Sequence, residues 1–139
     1  MTTKTIKLIV FITLLIHGIG HLQGVVTGAG IKFHSSSSRI SWLLKGWGEN
    51  TNRTLCILLF LITAIAGILT ALSFKGILLP PSSWQLFAIV TACISTLCLV
   101  LFPNALAMFF NKAGAIVVNL IILYSVLFNG KWPSVLFDD

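Results

Sequence analysis

The first apolar run, from Ile6 to Gly28, constrains the fold most strongly, because it is long enough to cross a bilayer and yet carries polar side chains. A transmembrane helix needs about 20 predominantly apolar residues. The polar residues lie in His17-Gly18-Ile19-Gly20-His21-Leu22-Gln23-Gly24, at or just past the midpoint of the run. An ionisable residue inside a membrane span is costly and is a candidate functional site. The run therefore predicts a membrane protein with a polar site on its first helix.

Composition supports this class. Hydrophobic residues make up 57% of the 139 residues and charged residues only 9%, with a mean hydropathy of +1.02. Soluble domains are roughly half apolar and one quarter charged. The length suits one transmembrane domain over residues 1–139. The net charge of +6 comes from dispersed basic residues, which we interpret as anchors facing anionic lipid head groups and not as a nucleic-acid site.

Three further apolar runs follow, each ended by residues that interrupt a helix. Lys75-Gly76 ends the second run and Pro103-Asn104 ends the third, and Phe109 to Lys112 reads as an interfacial turn. The sequence therefore predicts an all-α integral membrane four-helix bundle, antiparallel in up-down-up-down order, with both chain ends on one face. The predicted spans are about 6–28, 54–74, 84–102 and 113–128.

The longest connection, residues 30–52, has the pattern of a short interfacial helix at about 38–48. Ser38 would cap it, and apolar residues at i, i+3, i+4 and i+7 would form its buried face. Such a helix lies in the head-group region. A loop anchored by two tryptophans is the alternative. The apolar residues are Ile40, Leu43, Leu44 and Trp47.

Tryptophans mark both predicted membrane interfaces, where their amphipathic rings are favoured. Trp84 and Trp132 fall on the face that carries the chain ends, and Trp42 and Trp47 fall on the other face. The two faces hold four and five basic residues. This difference is too small to set the orientation of the bundle by the positive-inside rule.

Helical spacing collects the scattered polar and small residues onto one stripe of each span, which is predicted to face the other helices. In chain order the four stripes are Thr13, His17, Gly20, His21, Gly24 and Gly28; Phe60, Thr63, Gly67, Thr70 and Phe74; Trp84, Ala88, Thr91, Ser95 and Cys98; and Ala115, Asn119, Ile122 and Val126. With a rise of about 1.5 Å per residue, the most polar of them lie within roughly 8 Å of the midplane. They predict one polar layer and a ligand pocket open towards the 30–52 connection, with Arg39 to Trp47 as its lid. The predicted ligand-binding residues are His17, His21, Ser95 and Asn119, with Cys98 at a similar depth.

A purely structural interpretation competes with this pocket. Gly20, Gly24 and Gly28 form two overlapping GxxxG steps, which are packing devices in membrane helices. The histidines and the asparagine could simply pair with one another or with carbonyl groups. The glycines would then pack helices or join copies of the chain, and the polar layer would bind nothing.

A metal site is a further alternative, because residues four apart on a helix lie about 5 to 6 Å apart on one face. His17 and His21 could share an ion, but zinc needs three or four protein ligands. All acidic residues lie outside the spans: Glu49, Asp138 and Asp139. A haem with two axial histidines would need a loop histidine or a second subunit. The residues that could complete a metal site are Cys98, Cys56 and His34.

The absence of carboxylates from the spans also disfavours a proton- or cation-driven carrier, unless a histidine moves the proton. The sequence shows no CxxC pair and no glycine-rich phosphate loop. An enzyme is therefore the less favoured class. The cofactor is unknown, with metal and haem both open.

Two stretches carry a resemblance to a known group. Leu15 to Gly24 ends in His21-Leu22-Gln23-Gly24, and Asn111 to Leu123 carries Asn119. These stretches and the four-span layout resemble the DoxX-like proteins, small bacterial four-helix membrane proteins, whereas the loop with Ser35 to Ser38 is atypical of them. The resemblance implies a four-helix bundle in a bacterial inner membrane, and it implies no activity.

Three hypotheses follow from the sequence. The first is a binding or accessory membrane protein whose polar layer holds a small ligand, a lipid head group or a segment of a partner. The second is a membrane protein that handles a metal or carries a haem. The third is a structural bundle that oligomerises through its glycine steps. The expected partners are membrane lipid and either a second copy or another membrane subunit.

Overall fold

The structure, a computed structural model, describes residues 2–106 and 109–128. Helices α1 and α2 form one bent span, so the described chain has four helices long and apolar enough to cross a membrane. The predicted all-α four-helix bundle is confirmed. Trp132 lies outside the described residues. The α-helices are α1 Thr3–Gly20, α2 Leu22–Gly28, α3 Glu49–Lys75, α4 Trp84–Leu101 and α5 Phe109–Phe128.

Two helices begin earlier than their apolar runs. Helix α3 begins at Glu49, and α5 begins at Phe109, so the predicted interfacial turn is the first turn of α5. Apolarity marks the part of a helix that lies in lipid, whereas the helix itself continues until a residue interrupts it. Gly48 and Gly76 flank α3 with positive φ angles of 82° and 68°, a conformation that glycine adopts without steric cost.

The first span bends at His21. The His21 N–H donates to the Gly18 carbonyl over 3.2 Å, and the Gly24 N–H donates to the His21 carbonyl over 3.0 Å. These are the tighter i→i+3 bonds of a 3₁₀ turn, which commonly accompany a local bend in a helix. The second histidine of the predicted site therefore occupies the bend itself.

The four spans pack in the ring order α1/α2, α3, α4, α5. Helix α3 packs closely on α1, α2 and α4, and α4 packs on α5, whereas α1 and α5 meet far less extensively. We call the boundary between the first and last spans the α1–α5 seam. One end of the bundle, the loop face, carries residues 29–48 and the α4–α5 connection. The other end, the terminal face, carries Thr3 and the α3–α4 connection.

The predicted inward stripes of α3 and α4 are confirmed. On α3 the stripe residues are all buried: Phe60, Thr63, Gly67, Thr70 and Phe74. On α4 they are Trp84, Ala88, Thr91, Ser95 and Cys98. The polar members lie between two apolar clusters, one around Phe74 and Trp84 and the other around Phe60 and Phe102. A polar layer therefore crosses the middle of the bundle.

Two predictions concern Trp84, a place on the inward stripe of α4 and a role as an interfacial tryptophan, and the structure supports the first. Trp84 is 7% exposed and packs edge to face against Phe74, with ring centroids 5.7 Å apart. It is a core residue and not an outward-facing interfacial anchor. Trp42 and Trp47, in contrast, are 57% and 62% exposed at the loop face.

The α-helix predicted at 38–48 does not form, and only a 3₁₀ turn is present at Lys45–Trp47. The buried side chain of Asn52 holds the segment instead. Its Oδ1 accepts from the Ser41 N–H over 2.9 Å, and its Nδ2 donates to the carbonyls of Leu44 and Gly48 over 2.9 Å each. These bonds satisfy backbone groups that a helix would otherwise pair internally.

Candidate functional site

The two histidines of the first span lie together inside the bundle. His17 is 9% exposed and His21 is 1% exposed. Their ring centroids are 4.8 Å apart and the ring planes are nearly perpendicular, at 83°. The predicted spacing on one helix face is therefore realised, despite the bend at His21.

Close packing between α1 and α3 fixes the position of His17. A methyl group on Gly18 would lie 2.7 Å from the backbone nitrogen of Ile68, and one on Gly67 would lie 2.7 Å from Gly18 Cα. Only two glycines allow the backbones to approach so closely. His17, the residue before Gly18, is therefore held at the crossing of α1 and α3, and its side chain lines the cavity between α1 and α5.

Phe60 fixes the position of His21. A methyl group on Gly24 would overlap the Phe60 ring, and the same ring lies 5.9 Å from the His21 ring, centroid to centroid. Gly24 therefore makes room for the aromatic side chain that supports the second imidazole. Gly28 packs in the same way against Ile57 of α3.

Asn119 of α5 brings a third polar side chain to the histidines. Its Nδ2 donates to Ser95 Oγ over 2.8 Å and to Thr96 Oγ1 over 3.3 Å. The Thr96 hydroxyl already donates to the Ala92 carbonyl over 2.7 Å, so its oxygen can only accept, which fixes the amide orientation. The Asn119 side chain therefore directs its oxygen away from α4, and it lies beside the His17 imidazole.

Four buried side-chain atoms at this site make no hydrogen bond of normal geometry among the described residues: His17 Nε2, His21 Nδ1, His21 Nε2 and Asn119 Oδ1. Of these, His17 and Asn119 lie close enough to interact with one another, whereas both nitrogens of His21 have no such neighbour in the described part of the chain. A neutral imidazole has one donor and one acceptor, and the amide oxygen is an acceptor. An unpaired polar group costs several kcal/mol in hydrocarbon. The site thus contains both donors and acceptors that the described residues leave unpaired.

A cavity of about 330 Å³ adjoins the histidines. It lies in the α1–α5 seam, between His17 and His21 on one side and α5 on the other, and Leu106 contributes from the α4–α5 connection. Its volume falls within the range of small-molecule sites. The other lining residues are Thr13, Ile16, Gly20, Phe110, Asn111, Gly114, Ala115 and Val118.

The predicted lid is in the wrong place. No residue from Arg39 to Trp47 lines the histidine cavity. Arg39 instead forms an ion pair with Glu49 and borders a separate cavity of about 260 Å³ at the loop face. Trp42 donates from Nε1 to the Val100 carbonyl over 2.6 Å. The segment covers the ends of the helices, whereas the histidine cavity opens sideways along the seam.

The predicted metal set is not assembled. The Sγ atom of Cys98 lies 3.5 Å from Thr63 Oγ1, and Cys98 packs with Cys56 in the apolar cluster around Phe60. His34 is an exposed loop residue whose Nδ1 lies 2.9 Å from Ser36 Oγ. Among the described residues, no three His, Cys, Asp or Glu side chains are grouped as metal ligands. The site therefore offers two imidazoles without a third ligand.

The glycine prediction is right at two positions and wrong at the third. Gly24 and Gly28 pack against α3 within one chain, whereas a methyl group on Gly20 would meet no atom of the described residues within 4 Å. The buried positions of the first span are Leu14, His17, Gly18, His21, Gly24, Thr27 and Gly28, so Gly20 lies off this stripe. Oligomerisation through these glycines would therefore require a surface that α3 already covers at Gly24 and Gly28.

Sequence reasoning missed several contributors to the site. Gly18 lies outside the GxxxG steps that were singled out, and Thr96 lies one residue beyond the predicted stripe of α4. Gln23 and Asn111 are also joined at the loop end of the cavity, where Asn111 Nδ2 donates to Gln23 Oε1 over 2.8 Å. The sequence did contain a signal for this contact, because a glutamine within an apolar run needs a polar partner.

Comparison of the chain with known protein families, with curated proteins and with solved structures gave no match.

Proposed function

We propose that this protein is an intramembrane binding protein that holds a small neutral molecule, or the neutral head group of a larger one, at His17, His21 and Asn119. The observation that carries the proposal is the set of unpaired, buried ring nitrogens of His17 and His21, two residues that line a cavity of about 330 Å³. Asn119 and Ser95, the other two predicted ligand-binding residues, do not line this cavity, and Asn119 lies behind it, beside His17. Buried polar groups are nearly always paired. A ligand that hydrogen-bonds to these atoms would offset their desolvation.

The lining of the cavity favours a neutral ligand. Among the described residues, no Lys, Arg, Asp or Glu lines the histidine cavity. Charged groups are expensive in a low-dielectric interior unless an opposite charge pairs with them. A hydroxyl group suits the site best, because it can accept from an imidazole N–H and donate to a bare imidazole nitrogen or to Asn119 Oδ1.

A location in a bacterial inner membrane and membership of the DoxX-like proteins are further parts of the proposal. They rest on the stretches Leu15 to Gly24 and Asn111 to Leu123. The four apolar helices support a membrane location in general. An accessory role beside a second copy or another membrane subunit is compatible with this binding function.

The test is binding of monooctanoin, a neutral lipid with two free hydroxyl groups, to protein in mild detergent, measured by native mass spectrometry. Replacing both imidazoles, in the double variant His17→Leu/His21→Leu, should weaken binding about tenfold, through loss of two or three hydrogen bonds. His34→Leu is the matched control, because His34 lies in the loop. His21→Gln, which keeps a donor and an acceptor, should retain most of the binding.

Unchanged affinity in a folded double variant would overturn the proposal. The Tm of each variant shows whether it is folded. Should the double variant unfold, the single substitution His21→Phe gives the same comparison, because Phe60 already provides an aromatic neighbour.

A second candidate function is metal binding by the same histidines. It is favoured by the unpaired nitrogens on both imidazole rings. The centroids of the two rings are 4.8 Å apart. The remaining ligands would have to come from outside the described residues. Elemental analysis and a visible spectrum of the purified protein decide between the two functions: a stoichiometric metal or a haem band lost in His17→Leu would favour metal handling.

A further inference from the structure

A second, apolar cavity continues from the histidine cavity along the seam. This groove has a volume of about 140 Å³ and shares Thr13 and Val118 with the histidine cavity. Its other lining residues are mostly apolar: Ile9, Val10, Leu14, Phe74, Trp84, Ile121, Ile122 and Ser125. The two cavities therefore adjoin at Thr13 and Val118, and we treat them together as one slot, with the histidines towards the loop face and apolar side chains towards the terminal face.

We propose that this slot binds a lipid with one acyl chain and a neutral head group bearing hydroxyls, of the monoacylglycerol type, with the head at the histidines and the chain in the groove. This inference rests on the proposed function and adds to it the class of ligand and its direction. From His17 to Ile9 the slot extends about 12 Å along α1, at 1.5 Å per residue.

The chemistry of the two halves selects a lipid of this kind. In the described part of the chain, neither cavity is lined by Lys, Arg, Asp or Glu, so neither a phosphate nor an ammonium head has an opposite charge to pair with. The unpaired atoms of His21 and Asn119 require a head that both donates and accepts. The apolar groove suits a hydrocarbon chain, and its volume of about 140 Å³ is small enough that we assign a single chain to it.

The slot faces the bilayer. Ile16 and Ile121, which line its two halves, are 64% and 57% exposed at the outer surface of the bundle. At the loop end, hydrogen bonds join the first span to the far side of the seam: Asn111 donates to Gln23 over 2.8 Å, and the Thr27 hydroxyl donates to the Ala105 carbonyl over 2.9 Å. A lipid can therefore reach the histidines from the membrane, with its head and chain aligned as in the slot.

The test blocks the groove without touching the head site. Ile121→Trp places a bulky ring in the groove, and Leu120→Trp is the matched control, because Leu120 is 61% exposed on the same helix and lines neither cavity. Binding of monoolein, with a long chain, and monooctanoin, with a short one, is measured by native mass spectrometry in mild detergent. Ile121→Trp should weaken binding of both lipids about tenfold, because an eight-carbon chain that starts at the histidines already reaches the groove, whereas Leu120→Trp should change neither.

A second measurement reports directly on the chain. In a variant with Trp42, Trp47 and Trp132 replaced by Phe, the remaining Trp84 lines the groove. Monoacylglycerol with a brominated chain should quench its fluorescence, and excess monoolein should reverse the quenching.

The failures of the two proposals are distinguishable. If the substitutions at His17 and His21 weaken binding of both lipids while Ile121→Trp changes neither, the inference about the chain is wrong and the proposed function stands. If binding of both lipids is independent of the histidines, the proposed function is wrong and the inference fails with it. Equal weakening of binding in Leu120→Trp and Ile121→Trp would also contradict the assignment of the groove to the chain.

Discussion

The two sides of the first span differ in how they are packed. Towards α3, Gly18 and Gly67 bring the two backbones together so closely that a single methyl group does not fit. Towards α5, the same helix borders a cavity of about 330 Å³ and an apolar groove of about 140 Å³. Because the side that faces α3 is tightly packed, the imidazoles of His17 and His21 are held in fixed positions at the cavity on the side that faces α5. The contrast indicates that the packed side of the span provides stability, whereas the open side carries the proposed binding site.

The largest effect is expected from Gly18→Leu, on the packed side. Its Cβ would lie 2.7 Å from the backbone nitrogen of Ile68, and a backbone cannot rotate away as a side chain can. The free energy of unfolding in detergent should fall by about 3 kcal/mol. Gly20→Leu is the matched control, because Gly20 has no neighbour within 4 Å. Equal losses in the two variants would contradict the difference between the two sides.

The next largest effect is expected from Gly24→Ala. The added methyl group would overlap the Phe60 ring and force it towards His21. We expect a loss of about 1 to 2 kcal/mol in the free energy of unfolding, together with weaker monooctanoin binding, because the displaced ring disturbs the imidazole. Thermal unfolding and native mass spectrometry measure the two effects. A variant that unfolds earlier but binds normally would show that Phe60 does not position His21.

Gly20→Ala tests the open side of the span and should raise the free energy of unfolding instead of lowering it. The methyl group meets no atom within 4 Å, so the higher helix propensity of alanine should stabilise the bundle by up to about 1 kcal/mol. Thermal unfolding in the same detergent is the measurement. Destabilisation would mean that the seam closes on Gly20 in the membrane.

The smallest effect on stability is expected from Asn119→Leu. The substitution removes two hydrogen bonds, at about 0.6 kcal/mol each in a membrane protein, and it also removes an unpaired buried acceptor. The two changes nearly cancel, so the free energy of unfolding should stay within about 1 kcal/mol of wild type. Monooctanoin binding should nevertheless weaken. A large loss of stability with unchanged binding would indicate that Asn119 is only a structural residue.

The inward faces of α3 and α4 could be predicted from the sequence because a regular helix repeats every 3.6 residues. Thr63, Gly67 and Ser95 lie where this period places them. The buried positions of the first span follow the same period, from Leu14 through His17, Gly18 and His21. The prediction took its stripe from the polar residues and glycines of this span and therefore placed it slightly to one side, so that it included Gly20 and omitted Gly18, whose neighbour Gly67 is distant in the sequence.

The loop face could not be predicted in the same way. The apolar spacing from Ile40 to Trp47 is typical of an amphipathic helix, but the structure is decided by Asn52 and by the Val100 carbonyl, to which Trp42 donates. Local periodicity contains no information about such partners. The lid prediction was wrong for this reason, and the lateral opening of the cavity depends on how closely α1 and α5 approach, which no local pattern specifies.

The hydrogen bonds at the loop face have a mechanical consequence for exchange of a bound molecule. Gln23 with Asn111, Thr27 with Ala105, and Ser38 with Asn104 fasten the first span and its loop to the far side of the bundle at one end. At the terminal face, apolar side chains such as Val10 and Val126 pack against the core instead. Apolar contacts are not directional, so they hold the helices together less specifically than hydrogen bonds do. We therefore expect the first span and α5 to separate at the terminal face while they stay joined at the loop face. A bound molecule would then exchange through the leaflet next to the amino terminus.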